Sequence, residues 1–231
     1  MKLSKRLQAI ADFVPRNSIV ADIGTDHGYI PRYLMDKGIS KIVIASDISK
    51  PSLKKTIEYV ESFNYERIDP RVGDGLDVIK PFEVDTIILS GMGGLLIKEI
   101  LDLNREKTSS INNFILQPNI ASKELRQYLL ATNFRIIDED LVKEEDKYYE
   151  LIYAKKGKDH IENDNYYEVG KKLIENKHPL LKEYIDFKID KINQIMEQLK
   201  DKTSEKSISR MEELKKKKKS YEEILKEANI S

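Results

Sequence analysis

Residues 20–31, VADIGTDHGYIP, run from an apolar segment into a turn bracketed by Gly24 and Gly28 and loaded with Asp22, Asp26 and His27. An apolar run, a glycine turn and a helical pattern, in that order, read as strand, turn and helix. Residues 19–23 are expected to form a buried strand, and the segment after Gly28 a helix reaching about Lys37. Upstream, Ser4 is placed to cap a short helix whose Leu7, Ile10 and Val14 recur at helical spacing before Pro15 stops it. Downstream, the unit repeats. Strands are expected at 41–46 (KIVIAS), 68–72, 85–90 (DTIILS) and 113–117 (NFILQ), with helices at 49–63, 95–103 and 122–132. Short, continuously apolar strands alternating with helices predict a doubly wound, mostly parallel α/β sheet. Two further strand candidates, 134–142 and 149–154, are joined by an acidic turn at 143–147 and read as an antiparallel finish.

Near Lys155 the composition changes. The segment KKGKDHIENDN (155–165) is polar and turn-prone, and no strand candidate follows it. Ile185, Ile189, Ile192, Met196 and Leu199 step by four, three, four and three, the seam of a long helix packed on another. A turn at 201–207 leads to a looser seam of Ile208, Met211, Leu214, Tyr221 and Leu225. The chain is therefore expected to divide into a sheet domain, 1–157, and an antiparallel helical hairpin of coiled-coil type, 158–231. Such a pair suits a dimerisation arm, a structural cap or a clamp on a large substrate.

Charged residues make up 35% of the chain, 40 basic against 40 acidic, so whole-chain electrostatics favour neither a nucleic acid nor a membrane partner. Cysteine is absent, which excludes structural disulfides and thiolate metal ligands. The amphipathic start, MKLSKRLQAIADFVP, is too polar for a signal peptide, and no apolar run reaches membrane-spanning length. The expectation is a cytoplasmic monomer with no membrane partner and no metal.

In an open α/β sheet the ligand crevice lies at the carboxyl ends of the strands. Here the first strand is followed by Asp22, Gly24, Asp26, His27 and Gly28, the second by Asp47 and Ile48, and the third by Gly73-Asp74-Gly75. Ser90-Gly91-Met92-Gly93-Gly94 follows the fourth and Gln117-Pro118-Asn119 the fifth. One such turn is ordinary punctuation; five in series point to a ligand. A dinucleotide would require Gly-x-Gly-x-x-Gly, with its pyrophosphate against helix amides. This turn has only Gly24 and Gly28, and Asp26 sits where an anion would lie. A cationic donor without phosphate, S-adenosylmethionine, suits it better. Asp22 then lies near the ammonium group, Gly24 permits close backbone approach, and Asp47, 23 residues after Gly24, accepts from ribose hydroxyls. Asp74 is placed to take the adenine amino group. Asp47 also reads as a capping acid ahead of Ser49.

LSKRL, ADIGTDHGYIP, GDGLDVI, SGMGG and ILQPN, in this order and followed by a helical hairpin, resemble the bacterial tRNA adenine-N1 methyltransferases that modify adenine 22. The resemblance covers essentially the whole chain. It implies a Rossmann-like class I methyltransferase domain, S-adenosylmethionine as donor, and a tRNA bound jointly by the domain face and the helical arm. It also implies that Asp26 is the catalytic acid. The candidate cofactor-binding residues are then Asp22, Gly24, His27, Asp47, Ile48, Asp74, Gly75 and Gly91; the candidate substrate-binding residues are Arg6, Tyr29, Gln117 and Asn119. Competing readings are a methyltransferase acting on another RNA position, a small molecule or a protein, and a non-catalytic cofactor-binding assembly protein. The joint presence of Asp22, Gly24, Asp26, Asp47 and Asp74 weighs against the last.

Adenine N1 carries an in-plane lone pair, so methylation there requires aim and tolerance of charge rather than prior proton removal. Asp26 is placed to accept from the N6 amino group. His27 reads either as part of the reacting turn or as a neutral structural histidine, and Tyr29 either as a stacking partner for an extruded base or as a core aromatic. The lysine run 215–219, with Lys2, Lys5 and Arg6 at the other end of the chain, offers phosphate contacts. Flanked by Glu212, Glu213, Glu222 and Glu223, the run equally reads as a solvated helix face.

Overall fold

The computed structural model describes residues 1–25, 27–63 and 65–229. Ser4 Oγ accepts from the Leu7 amide and caps α1 (Lys5–Asp12), which turns Ala9, Ile10 and Ala11 inward. β1 (Ser18–Ile23), α2 (Tyr29–Asp36), β2 (Ser40–Asp47), α3 (Lys50–Phe63) and β3 (Ile68–Val72) follow in regular alternation. A single 3-10 turn at Gly75–Val78 leads to β4 (Thr86–Met92), α4 (Gly94–Leu103), the short α5 (Arg105–Ser110), β5 (Asn113–Pro118) and α6 (Ser122–Ala131). β6 (Phe134–Glu144) and β7 (Lys147–Lys156) close the sheet as a hairpin.

The strand order is β3-β2-β1-β4-β5-β7-β6. β1 to β5 run parallel, and β7 lies antiparallel to both of its neighbours. The order reverses between β1 and β4, so the switch-point crevice lies at the carboxyl ends of those strands. β1 is buried on both faces. Val20 joins Ile10, Ile30 and Leu34 on the α1–α2 side, while Ala21 and Ile23 join Ile97, Leu101, Leu125 and Leu129 on the α4–α6 side. Double burial is why apolar residues run continuously from Ile19 to Ala21 instead of alternating; Ser18 and Asp22 are the polar residues of the strand.

The β6–β7 ladder continues to the pair Glu144 and Lys147, leaving Glu145 and Asp146 as the whole turn. The wider turn expected at 143–147 is corrected here: backbone pairing does not need apolar side chains at a solvent-facing tip, and Lys143 lies over the Tyr148 ring instead. Inside this region Arg126 of α6 donates to Glu139 of β6 and Glu150 of β7, both at 2.7 Å.

Chain contacts divide the protein into Met1–His160 and Ile161–Ser231. In the second unit α7 (Asn165–Val169) and α8 (Lys171–Glu175) precede two long helices, α9 (Leu181–Leu199) and α10 (Glu205–Glu227). These run antiparallel: Lys188 reaches the Tyr221 ring while Asn193 accepts from Lys218, so positions advance on one helix as they retreat on the other. Ser204 caps α10, which begins inside the turn expected at 201–207. Ile185, Ile192, Leu214 and Tyr221 are buried, but Ile208 is 53% exposed and Ile224 takes the inner position expected for Leu225. Among the described residues no helix is long and apolar enough to cross a membrane, and no cluster of His, Asp or Glu is placed to hold a metal ion.

Candidate active site

The chain leaves β1 through a turn that two glycines make possible. The Gly24 and Thr25 amides both donate to the Ser46 carbonyl at 2.8 Å, folding the turn over the end of β2. Gly24 stands at φ 76° and Gly28 at φ 64°, in the left-handed region. A side chain at Gly28 would also meet Thr56 at 2.7 Å and Tyr59 at 2.9 Å, so α2 starts hard against α3. His27 shares the left-handed backbone at φ 60°, and its ring meets Tyr29 edge-on at 5.7 Å. Asp26, expected as the catalytic acid, lies outside the described residues.

This turn borders a crevice of about 350 Å³. Asp22, Gly24 and Thr25 form its β1 wall, with Tyr29 and Ile30 from α2 and Ser90 and Gly91 from β4. Arg6 and Leu7 of α1, Asn119 beyond β5 and Tyr149 of β7 complete the lining. Tyr29 is 46% exposed there, so it is not a core aromatic.

Gln117 acts at one remove. It is fully buried; its Oε1 accepts from Arg6 at 2.9 Å and from the Gly91 amide at 3.2 Å, and its Nε2 donates to Asn119 at 3.1 Å. Asn119 donates to the Gly91 carbonyl at 2.7 Å. Arg6 is held further by the Tyr149 ring, 5.3 Å from its guanidinium, and its amide donates to Glu144. Expected as a ligand contact, Gln117 instead holds Arg6, Gly91 and Asn119 together.

Asp47, Ile48, Asp74 and Gly75 stand at the ends of β2 and β3, outside the crevice lining. Asp47 Oδ1 accepts from the Ser49 amide at 2.7 Å in a turn ahead of α3, and it is Ser49, whose Oγ accepts from the Ser52 amide at 3.4 Å, that caps the helix in place of Asp47. Ile48 is 68% exposed and Asp74 is exposed.

Electrostatics single out Asp22. It is 3% exposed, and burial pushes its carboxyl up to about 6; a hydrogen bond from Thr25 offsets part of this, while the Asp47 carboxylate adds to it. No cation pairs with it among the described residues. A buried acid whose charged neighbour is another acid fits a cationic ligand. The ammonium and sulfonium of S-adenosylmethionine meet that requirement. Leu7, Thr25, Ile30, Ser90 and Tyr149 join the lining without having been assigned a ligand role in the sequence. The first four lie inside the quoted motifs, whereas nothing local to Tyr149 marks it.

A doubly wound sheet of this order, with a buried acid near the end of the first strand and a glycine turn behind it, has the form of a class I S-adenosylmethionine-dependent methyltransferase. Residues 20–223 match the tRNA (adenine(22)-N(1))-methyltransferase family, TrmK, and the chain belongs to that family. It is 39% identical over 158 residues to the tRNA (adenine(22)-N(1))-methyltransferase of Bacillus subtilis; the aligned stretch covers 68% of this chain and 66% of that enzyme. The crystal structure of the B. subtilis m1A22 tRNA methyltransferase matches with a TM-score of 0.87 at 33% identity, covering 97% of this chain and 99% of that one. M. capricolum TrmK, in complex with S-adenosyl-homocysteine, matches with a TM-score of 0.86 at 29% identity over 99% and 100% of the two chains. The protein is an S-adenosylmethionine-dependent tRNA adenine-N1 methyltransferase, acting on adenine 22.

Proposed function

We propose that the crevice between β1 and β4 is where methyl transfer to adenine 22 takes place, with the cofactor toward β2 and β3 and the base toward α1 and β5. Asp22 carries this reading, because a carboxylate buried at the crevice wall with no cationic partner among the described residues calls for a positive ligand group. Gly24 leaves room for close backbone approach. Asp47 has one carboxylate oxygen committed to Ser49 and a second for the ribose hydroxyls. Asp74 faces solvent, ready for the adenine amino group of the cofactor, and Ile48, Gly75, His27 and Gly91 are the remaining cofactor contacts of this reading.

The donor supplies an electrophilic methyl group on a sulfonium. The chain supplies aim and charge. Tyr29 offers an exposed ring face to an adenine taken out of its stack. Asn119 and Arg6, both fixed by Gln117, present polar groups to the base edge and the adjoining phosphate. Asp26 accepts from N6 and stabilises the positive charge that develops on the ring as N1 is alkylated. Its sequence neighbour Thr25 lines the crevice, which supports that placement.

Residues 158–231 form the tRNA-binding arm of a cytoplasmic monomer. The lysine run supports this in part: Lys217 pairs with Glu168, Lys219 with Glu223, and Lys218 bonds Asn193, while Lys215 and Lys216 stand exposed. Transfer of labelled methyl groups to unmodified tRNA tests the site. Asp26→Ala should lower turnover by roughly 10²–10⁴ with cofactor affinity retained; wild-type turnover in that variant would overturn the assignment.

A further inference from the structure

Lys156 ends β7 at the far end of the sheet from the crevice. It pairs in register with Phe134, and the preceding Lys155 pairs with Asn113 at the start of β5. From Asn113, β5 runs to Pro118 at the crevice end, about 17 Å at the usual strand rise. The Lys156 ammonium stands 3.7 Å from the centre of the Phe134 ring and 5.3 Å from that of Phe114. Both rings are buried and meet edge to face at 4.9 Å. No carboxylate pairs with Lys156 among the described residues, and burial pulls its pKa down to about 8.

Lys156 lines a second cavity, about 310 Å³, bordered on its apolar side by Leu101, Phe134 and Tyr128, of which the first two are fully buried and Tyr128 is half-buried. Arg105 and Asp102 also border it, but they bond each other at 2.8 Å, so the guanidinium charge is already answered. We propose that this cavity binds a small organic carboxylate, with its anionic head on Lys156 Nζ and its apolar body against the Tyr128 ring.

An ammonium over a ring face gives up hydration that the ring quadrupole only partly replaces. A carboxylate replaces it with a charge-assisted hydrogen bond. The surrounding side chains set the rest of the requirement, since a bare inorganic anion would leave the half-buried Tyr128 ring without a partner. The volume is at the small end of ligand pockets, roughly 300–1,000 Å³. None of these residues belongs to the methyl-transfer crevice, so the reaction does not account for them.

Benzoate is the probe, titrated into the full-length enzyme carrying lysine labelled with carbon-13 at the ε position. The expected result is a saturable shift of the Lys156 resonance, with its pKa moving upward as the probe binds. Lys156→Met should weaken benzoate at least about tenfold without changing S-adenosylmethionine affinity, and Lys156→Arg should recover much of the loss. Benzyl alcohol, which keeps the ring without the charge, and inorganic phosphate, which keeps charge without the ring, should each bind at least about tenfold more weakly than benzoate. Benzyl alcohol equalling benzoate, or benzoate affinity unchanged in Lys156→Met, overturns the role of the ammonium. Phosphate equalling benzoate overturns the apolar body, and a Lys156 resonance that does not respond overturns the site.

Discussion

Arg126 and Asp22 are both almost completely buried inside the sheet domain, and their surroundings are opposite. Arg126 is 0% exposed and meets two carboxylates, Glu139 and Glu150, at 2.7 Å each. Burial pulls its pKa down, but the two acids outweigh that and hold it above the ordinary value. Asp22 is 3% exposed and has an acid, Asp47, as its charged neighbour. A buried charge answered within the fold is part of the scaffold; one left facing its own sign is directed at something outside the chain. Arg126 ties α6 to the β6–β7 hairpin, and Asp22 forms a wall of the crevice.

Removing each charge should therefore act with opposite sign. Arg126→Met leaves two carboxylates facing each other in the interior and should cost about 3–5 kcal/mol, read as a lower urea midpoint. Replacing Glu139 and Glu150 by leucine in the same chain should recover most of that loss, because an apolar cluster of similar volume needs no counter-charge. A triple variant no more stable than Arg126→Met would show that shape, not charge, holds the hairpin to α6.

Asp22→Asn should stabilise the cofactor-free protein and weaken cofactor binding. The folded-state pKa, about 6, lies above the ordinary 3.8, so the native state holds the extra proton between those values. The cost of the ionised form is fully present above about 6 and disappears as pH falls toward 4. At neutral pH the difference is on the order of 2–3 kcal/mol, and the stability gap between variant and wild type should close on acidification. Cofactor affinity follows the same group. In the wild type it should fall about tenfold for each pH unit below about 6, because the ammonium requires the carboxylate; in the variant it should be low and nearly flat. Calorimetry that finds the same acid slope in both proteins would move the cation site away from Asp22.

The two groups were unequally legible. Asp22 announces itself at the end of an apolar run, beside a glycine, where a parallel strand delivers its next residues to the crevice; Gly91 and Asn119 are visible for the same reason. Arg126 gives no such signal, since its partners come from strands 13 and 24 residues away and only the antiparallel hairpin brings them together. Tyr149 was missed on the same ground. Gln117 was placed at the right strand end, but the sequence does not say that its amide turns inward to Arg6 and Gly91. The fold itself was plainer, because strands buried on both faces carry continuous apolar runs such as Ile87-Ile88-Leu89 and Phe114-Ile115-Leu116. The short helices α5, α7 and α8 escaped because five or six residues are too few for a hydrophobic period to show.

The smallest effect belongs to the arm. α10 presents its five lysines unequally: Lys217 reaches Glu168, whose side chain is only 10% exposed, while Lys215 and Lys216 face solvent. If the exposed pair lies on phosphate, changing both to glutamine should weaken tRNA binding by several-fold. The slope of log affinity against log salt should fall by roughly one to two, since each phosphate contact contributes about 0.7–0.9. Cofactor affinity should not change. Lys217→Gln should behave differently, loosening the helical unit through Glu168 with little change in the salt slope. An unaltered slope in the Lys215 and Lys216 variant would make the run a solvated face and shift the RNA contact to the crevice rim around Arg6, where the guanidinium is already held in place by Gln117 and Tyr149.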